Sequence, residues 1–241
     1  MKVVVTAGPT REYLDPVRFL SNPSTGKMGF AIAAEAAKRG HDVTLVAGPV
    51  ALKTPKGVER VEVVSAREML AAVEAAVGDS KRTTAREDGK RTTARGDSKR
   101  TTAGETVLIA TAAVADWRPA KCAAKKLKKG EMSGTLKLVR NPDILKTINR
   151  QRRSLFPVPR SLRLVGFAAE TDHVLDEAAR KCREKGLEFI VANDVSEKGC
   201  GFGTDTNRVT FVFPDGRQRK FPLMTKRMVA RRILEEIENE K

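Results

Sequence analysis

Apolar runs of strand length alternate with amphipathic stretches of helix length along nearly the whole chain. This period constrains the fold more than any other feature. "KVVVTA" (2–7) is a continuous apolar run of the kind buried on both faces of a sheet. "GKMGFAIAAEAAKRG" (26–40) carries an apolar stripe at helical spacing and stops at Gly40. "DVTLVAG" (42–48) and the alternating "VERVEVV" (58–64) read as strands, and "AREMLAAVEAAV" (66–77) as a helix with Ser65 placed to cap it. "TVLIATAAVAD" (106–116) opens as a central strand, and "NPDILKTINRQ" (141–151) is a short helix with Pro142 near its first turn. "LRLVGFAAET" (162–171) begins as a strand, a helix follows over 172–185, and "LEFIVAND" (187–194) is a strand running into a loop. Residues 208–223 form a hairpin about a Pro-Asp-Gly turn, and 225–240 a terminal helix. That order predicts an α/β fold, a Rossmann-like three-layer sandwich whose mostly parallel sheet ends in a late antiparallel hairpin. Its 241 residues suffice for one domain with a sizeable core.

One segment breaks the pattern. Residues 81–104 read "KRTTAREDG", "KRTTARGDS", "KRTTAG", a nine-residue repeat with a truncated third copy. With almost no apolar residues it cannot offset the entropy of ordering, so 78–104 reads as a disordered insertion in a surface loop. The "RGD" inside it (Arg95 to Asp97) is read as a by-product of the repeat. This stretch carries eight basic and four acidic residues, so most of the chain's net charge of +16 belongs to the folded part. Such a balance favours anionic partners without choosing among them. No aromatic is interleaved in the repeat for base stacking, so nucleic acid is not the expected partner. No run of about 18 apolar residues exists to cross a membrane. The N-terminus reads as a first strand rather than a signal peptide, so a cytoplasmic location is expected. Cys122, Cys182 and Cys200 are scattered and odd in number, which argues against a disulfide framework or a zinc site. The two histidines, His41 and His173, are too few for most metal or His-based designs and are expected on surfaces.

The polar motifs sit where strands end: "TAGPTRE" after the first, "TAAVADWR" after the fourth, "GFAAET" after the fifth and "ANDVS" after the sixth. In open parallel sheets that rim is where ligands bind. "SNPSTGKMG" (21–29) runs from a turn into a helix whose first N–H groups and dipole would welcome phosphate. Ser24 or Thr25, taken alone, reads as a cap, and Gly26 and Gly29 allow close approach. Neither nucleotide fingerprint fits. A Walker A loop would need a glycine at Ser21 and a hydroxyl at Met28, and "TAGPTRE" is not G-x-G-x-x-G. A dinucleotide oxidoreductase is therefore not expected.

Six motifs in order, "TAGPTREYLDPVRFLSNPSTGKMG", "AAVADWRP", "KKLKKG", "NPDIL", "VGFAAET" and "ANDVS", closely resemble the phosphopantothenoylcysteine synthetases. These are the ligase part of the DNA/pantothenate metabolism flavoproteins. The resemblance spans nearly the whole chain, the repeat being its main departure. It implies a ligase that joins 4'-phosphopantothenate to L-cysteine in coenzyme A biosynthesis. CTP would activate the carboxylate as an acyl-cytidylate with loss of pyrophosphate, and the cysteine amine would then displace CMP. Animal-type relatives use ATP, and "SNPSTGKMG" and "AAVADWRP" look like the CTP-using type. The resemblance further implies Mg²⁺ held mainly through phosphate oxygens and a homodimer with the hairpin and a mobile strap on the dimer side. The flavin-dependent decarboxylase half has no counterpart in the motifs, so FMN is not expected.

Roles follow by resemblance, position by position. Asn22 would contact the acyl-nucleotidylate, its amide donating to the acyl oxygen, though Asn in S-N-P is otherwise a common turn residue. Arg18 would hold substrate phosphate, or else be a surface arginine. Lys126, ten residues after Asp116, would be the catalytic lysine of the strap, although "KKLKK" otherwise reads as a solvated charge run. Asp116 would accept from ribose or base, or else cap a helix; Ala112 would offer backbone contacts. Asn141, Pro142, Asp143 and Ile144 would form a further nucleotide-contacting segment. Phe167 would lie against the base or pack in the core. Lys181 and Lys185, one helical turn apart, would face the triphosphate or form an exposed basic pair. Gly8, Ser24, Thr25 and Gly26 complete the nucleotide-binding set.

Overall fold

The computed structural model describes residues 1–78, 105–128, 134–153, 161–170, 173–197 and 199–239. Its centre is strand β1 (Lys2–Ala7), fully buried at Val3, Val4 and Val5. Parallel neighbours flank it: β4 (Asp42–Ala47) and then β5 (Val58–Glu62) on one side. On the other lie β6 (Thr106–Ala110), β9 (Arg163–Glu170) and β10 (Phe189–Asp194). Antiparallel β12 (Val209–Val212) and β13 (Gln218–Lys220) finish the sheet, whose order is β13-β12-β10-β9-β6-β1-β4-β5. Counting only the parallel strands in chain order gives 3-2-1-4-5-6, the doubly wound order that opens a crevice between β1 and β6. The expected three layers and late hairpin are therefore present.

Two apolar clusters show why the sheet is covered on both faces. Val3 and Val5 point to one side, where they meet Ile32 of α1 (Lys27–Lys38) and Ile233 of α5 (Lys226–Asn239). Val4 points to the other, into Met69 of α2 (Ala66–Gly78), Ile148 of α3 (Ile144–Arg153) and Ala178 of α4 (Val174–Glu184). A strand alternates its side chains, so a run apolar at every position demands helices above and below. The α1 layer lies very close to β1 near the rim. A Cβ on Gly29 would stand 2.5 Å from the Ala7 Cβ and 2.6 Å from Thr111 Oγ1.

Three short pairings escape the sequence pattern. They are β2 (Arg11–Tyr13) with β3 (Phe19–Ser21), β7 (Trp117–Pro119) with β8 (Leu138–Arg140), and β11 (Thr206–Asn207) with β14 (Met224–Thr225). Strands of two or three residues are too short for a period to show. Pro142 lies just before α3, near its first turn as expected, and Asp143 caps the helix: Lys146 N–H donates to Asp143 Oδ1 at 3.0 Å. One further expectation needs correction. His41 is not a surface residue; its side chain is only 14% exposed and its Nε2 lies 2.8 Å from Glu238. His173 is exposed. The repeat at 81–104 lies outside the described residues.

Candidate functional site

The C-terminal ends of β1, β6 and β9 surround a cavity of about 480 Å³, a volume suited to a nucleotide-sized ligand. Thr6, the 110–116 segment and Phe167 line it from the strands; Asn22, Asn141–Leu145, Lys181 and Lys185 line it from the surrounding loops and helices. A smaller cavity of about 70 Å³ adjoins it through Thr111, Phe167 and Phe202 and is floored by Ser24–Gly29. Of the four motif-bearing strand ends, three thus meet on the larger cavity, while "ANDVS" contributes Asn193 to the smaller one.

The start of α1 is built unlike a capped helix. Gly26 is the N-cap in the left-handed region (φ 76°), and no side chain caps the first turn. Ser24 and Thr25 therefore do not cap it, contrary to the local reading. Thr25 Oγ1 donates to the Phe202 carbonyl at 2.8 Å, and Ser24 Oγ lies a long 3.4 Å from Gly26 N, before the helix. Lys27 Nζ is likewise turned away, donating to Gly203 O at 3.0 Å and pairing with Asp205 at 2.7 Å. Gly26–Gly29 line the small cavity, and the helix start there has no side-chain cap. Gly8 (φ 78°) turns the chain beneath this point; it packs against Val50 and does not line either cavity.

The 112–116 segment is fixed by long-range bonds. Ala112 N–H donates to Thr6 Oγ1 (3.2 Å) and Ala115 N–H to Thr10 Oγ1 (3.0 Å). Asn22 Nδ2 donates to the carbonyls of Ala113 and Val114 at 3.1 and 3.2 Å. Two carbonyl oxygens demand N–H donors, which sets the orientation of this amide. Both amide hydrogens are thereby used, and Oδ1 is the end without a partner among the described residues. The expected donation to an acyl oxygen is not available in this arrangement. Asn141 is engaged as well: its N–H meets Asp116 O (2.8 Å), Nδ2 meets Ala115 O (2.8 Å) and Oδ1 accepts from Arg118 (3.0 Å). Asp116 is exposed and leads into β7, so it caps no helix.

Lys181 and Lys185 reach the cavity from α4 and its C-cap, and Lys185 Nζ pairs with Asp143 at 2.9 Å. Ile144 and Pro142 line the same wall. Arg18 and Lys126 lie outside both cavities' linings. Arg18 donates from Nε and Nη2 to Asp15 at 3.0 and 2.5 Å and from Nη2 to Leu127 O at 2.9 Å. Lys126 is exposed on the neighbouring segment. Among residues the motifs did not single out, Phe202 touches both cavities, and the buried Lys226 lines the smaller one. Burial lowers the Lys226 ammonium pKa below its ordinary value, and Nζ donates to Thr204 O at 2.6 Å. The "GFG" of 201–203 was the available signal, since glycines flanking an aromatic mark a loop with close backbone contacts. Among the described residues no group of three or more His, Cys, Asp or Glu could hold a metal, and none of the helices is long and apolar enough to cross a membrane. The carboxylates on the cavity, Asp116 and Asp143, suit an ion that arrives on phosphate oxygens better than a protein cage.

Comparison with known proteins agrees with this architecture. The chain is 42% identical over 236 residues to the Coenzyme A biosynthesis bifunctional protein CoaBC of Bacillus subtilis (strain 168), covering 98% of this chain and 50% of that protein. It is 42% identical over 240 residues to the protein of the same name from Escherichia coli (strain K12), covering 98% and 51%. It thus spans about half the length of the curated relatives it matches. The crystal structure of the C-terminal domain of Coenzyme A biosynthesis bifunctional protein CoaBC superimposes with a TM-score of 0.72 at 38% identity, covering 98% of this chain and 93% of that one. Residues 1–85 and 94–240 match the family described as DNA/pantothenate metabolism flavoprotein C-terminal domain, the match breaking within the repeat. With that match over nearly all its length, the chain belongs to the DNA/pantothenate metabolism flavoprotein C-terminal domain family.

Proposed function

We propose that this chain is a ligase of coenzyme A biosynthesis that joins 4'-phosphopantothenate to L-cysteine. The observation that carries the reading is the uncapped α1 N-terminus opening beside a cavity that also receives Lys181 and Lys185. Backbone donors and ammonium groups on one rim suit a triphosphate, and the names of the relatives place them in coenzyme A biosynthesis. CTP is the proposed activator. The substrate carboxylate attacks the α-phosphorus, pyrophosphate leaves, and the amine of cysteine then attacks the acyl carbon and expels CMP. Mg²⁺ would neutralise phosphate charge, with the carboxylates of Asp116 and Asp143 on the same cavity.

The residues divide the work. Phe167 lies where a base or pantetheine arm would pass, and the fixed 112–116 backbone sets the floor. Asn22 offers its acceptor end, so its proposed part is to take a hydrogen bond from the attacking amine and orient the lone pair toward the acyl carbon. Lys126 is proposed to reach the reacting phosphate or carboxylate from the strap, and Arg18 to hold the strap beside it. A homodimer is proposed through β2–β3 and β7–β8, where Val17, Phe19, Trp117 and Leu138 are exposed. The late hairpin, expected on the dimer side, has a polar β13 and ends at the exposed Leu223.

The test supplies CTP or ATP separately with 4'-phosphopantothenate, cysteine and magnesium, and measures the nucleoside monophosphate. CMP release is expected, AMP would make the chain an ATP-using relative, and release of neither would end the ligase reading. Asn22→Asp sets a carboxylate against the two carbonyls and is expected to accumulate acyl-cytidylate, detected by mass spectrometry. A pure scaffold would show no change in that variant or in Lys126→Gln.

A further inference from the structure

Asp15 is fully buried, yet it belongs to neither cavity and to no motif role. Its carboxylate closes the turn between β2 and β3 by accepting from the N–H groups of Val17 and Arg18, each at 2.9 Å. It also accepts from the Arg18 guanidinium. A turn needs no more than that. The same carboxylate goes on to accept from the backbone N–H of Leu127 at 3.2 Å, 112 residues away in sequence. Arg18 meanwhile donates to the Leu127 carbonyl at 2.9 Å, so both backbone groups of Leu127 are held by one ion pair. Four residues before Leu127, Ala123 N–H donates to Leu14 O at 2.8 Å and starts the same attachment.

Lys126 stands immediately before the doubly held residue. We infer that Asp15 is a positioning residue that, with Arg18, clamps the backbone of Leu127 and so sets where the Lys126 side chain stands relative to the cavity. The proposal rests on the ligase reading of Lys126. Burying a carboxylate is costly unless it is paired and hydrogen-bonded, and this one is saturated with donors from two segments. The Arg18 guanidinium holds the Asp15 carboxyl well below the usual carboxylate range, against the opposing effect of burial, so it stays an acceptor at neutral pH.

The test is a double-variant cycle in the full chain, combined with amide hydrogen exchange. Asp15→Asn is expected to speed exchange at Leu127 and to lower kcat about tenfold, with CTP affinity unchanged. In a Lys126→Gln background the same substitution should change kcat by less than about twofold, because the side chain it positions is already gone. A general structural role would instead reduce turnover by the same factor in both backgrounds. If Asp15→Asn does not fold, Asp15→Glu keeps the charge, moves the acceptor, and serves for the same two readouts. Unchanged exchange at Leu127 overturns the clamp; additive losses, or a Lys126→Gln variant with native turnover, overturn the positioning role. Should the native chain release neither CMP nor AMP, the ligase reading fails by itself, and exchange at Leu127 still decides whether Asp15 holds this segment.

Discussion

Helices α1 and α2 begin in opposite ways. At α2, Ser65 Oγ accepts from Glu68 N–H at 3.2 Å, and Glu68 Oε2 accepts from Val64 N–H at 2.9 Å, a complete capping box. Buried Glu12 adds a bond from across the fold, accepting from Ala66 N–H at 2.9 Å. The N–H groups of Val64, Ala66 and Glu68 are thus consumed by the chain's own side chains. At α1 a left-handed glycine takes the cap position, the nearby hydroxyl of Thr25 turns to another loop, and the end opens on a cavity. Two helices of similar length on opposite faces of the same sheet thus have their N-termini in two different states. A helix start marks a binding site when its donors are left over, and the residue types nearby are a weaker guide.

The contrast can be broken most sharply at α1. Ser24→Asp would place a carboxylate where phosphate is proposed to sit. It is expected to weaken CTP binding by about tenfold or more, roughly 1.4 kcal/mol, without loss of thermal stability. Calorimetric titration checks it, and unchanged affinity would put the triphosphate elsewhere. Lys185→Gln should weaken CTP binding several-fold and flatten its dependence on salt, while costing the fold little because the Asp143 pair is partly exposed. At α2 the expectation reverses: Ser65→Ala should cost about 1 kcal/mol in urea denaturation and leave nucleotide affinity unchanged. Because the Asp15 pKa is depressed in the fold, its ion pair stabilises at neutral pH and loses that contribution as pH falls below the ordinary carboxylate range. The melting-temperature gap between the native chain and Asp15→Asn should therefore hold above about pH 5 and shrink in acid. The smallest effect is expected from deleting residues 80–103, which should leave turnover within about twofold, since the repeat has almost no apolar residues with which to pack. Loss of nucleic-acid retention in that variant would instead give the repeat a role of its own.

Much of the architecture was legible in the order of residues. The apolar run in "KVVVTA" could only be a strand covered on both faces, and Ser65 announced a helix start. The rim was legible too, because polar motifs followed apolar strands. The short hairpins β2–β3 and β7–β8 were not, since three residues carry no period. Nor was the use of individual side chains. Thr25, Arg18 and Asn141 looked ready for a ligand and turn out to be engaged with the protein.

By itself, then, the sequence determined the layers, the parallel order and the rim on which chemistry would gather, because strand and helix periods are local and burial follows from them. Only the tertiary structure decided which donors on that rim remain open. Thr25 finds its acceptor 177 residues away and Arg18 finds Leu127 at a distance of 109, and no local pattern encodes a partner chosen by packing.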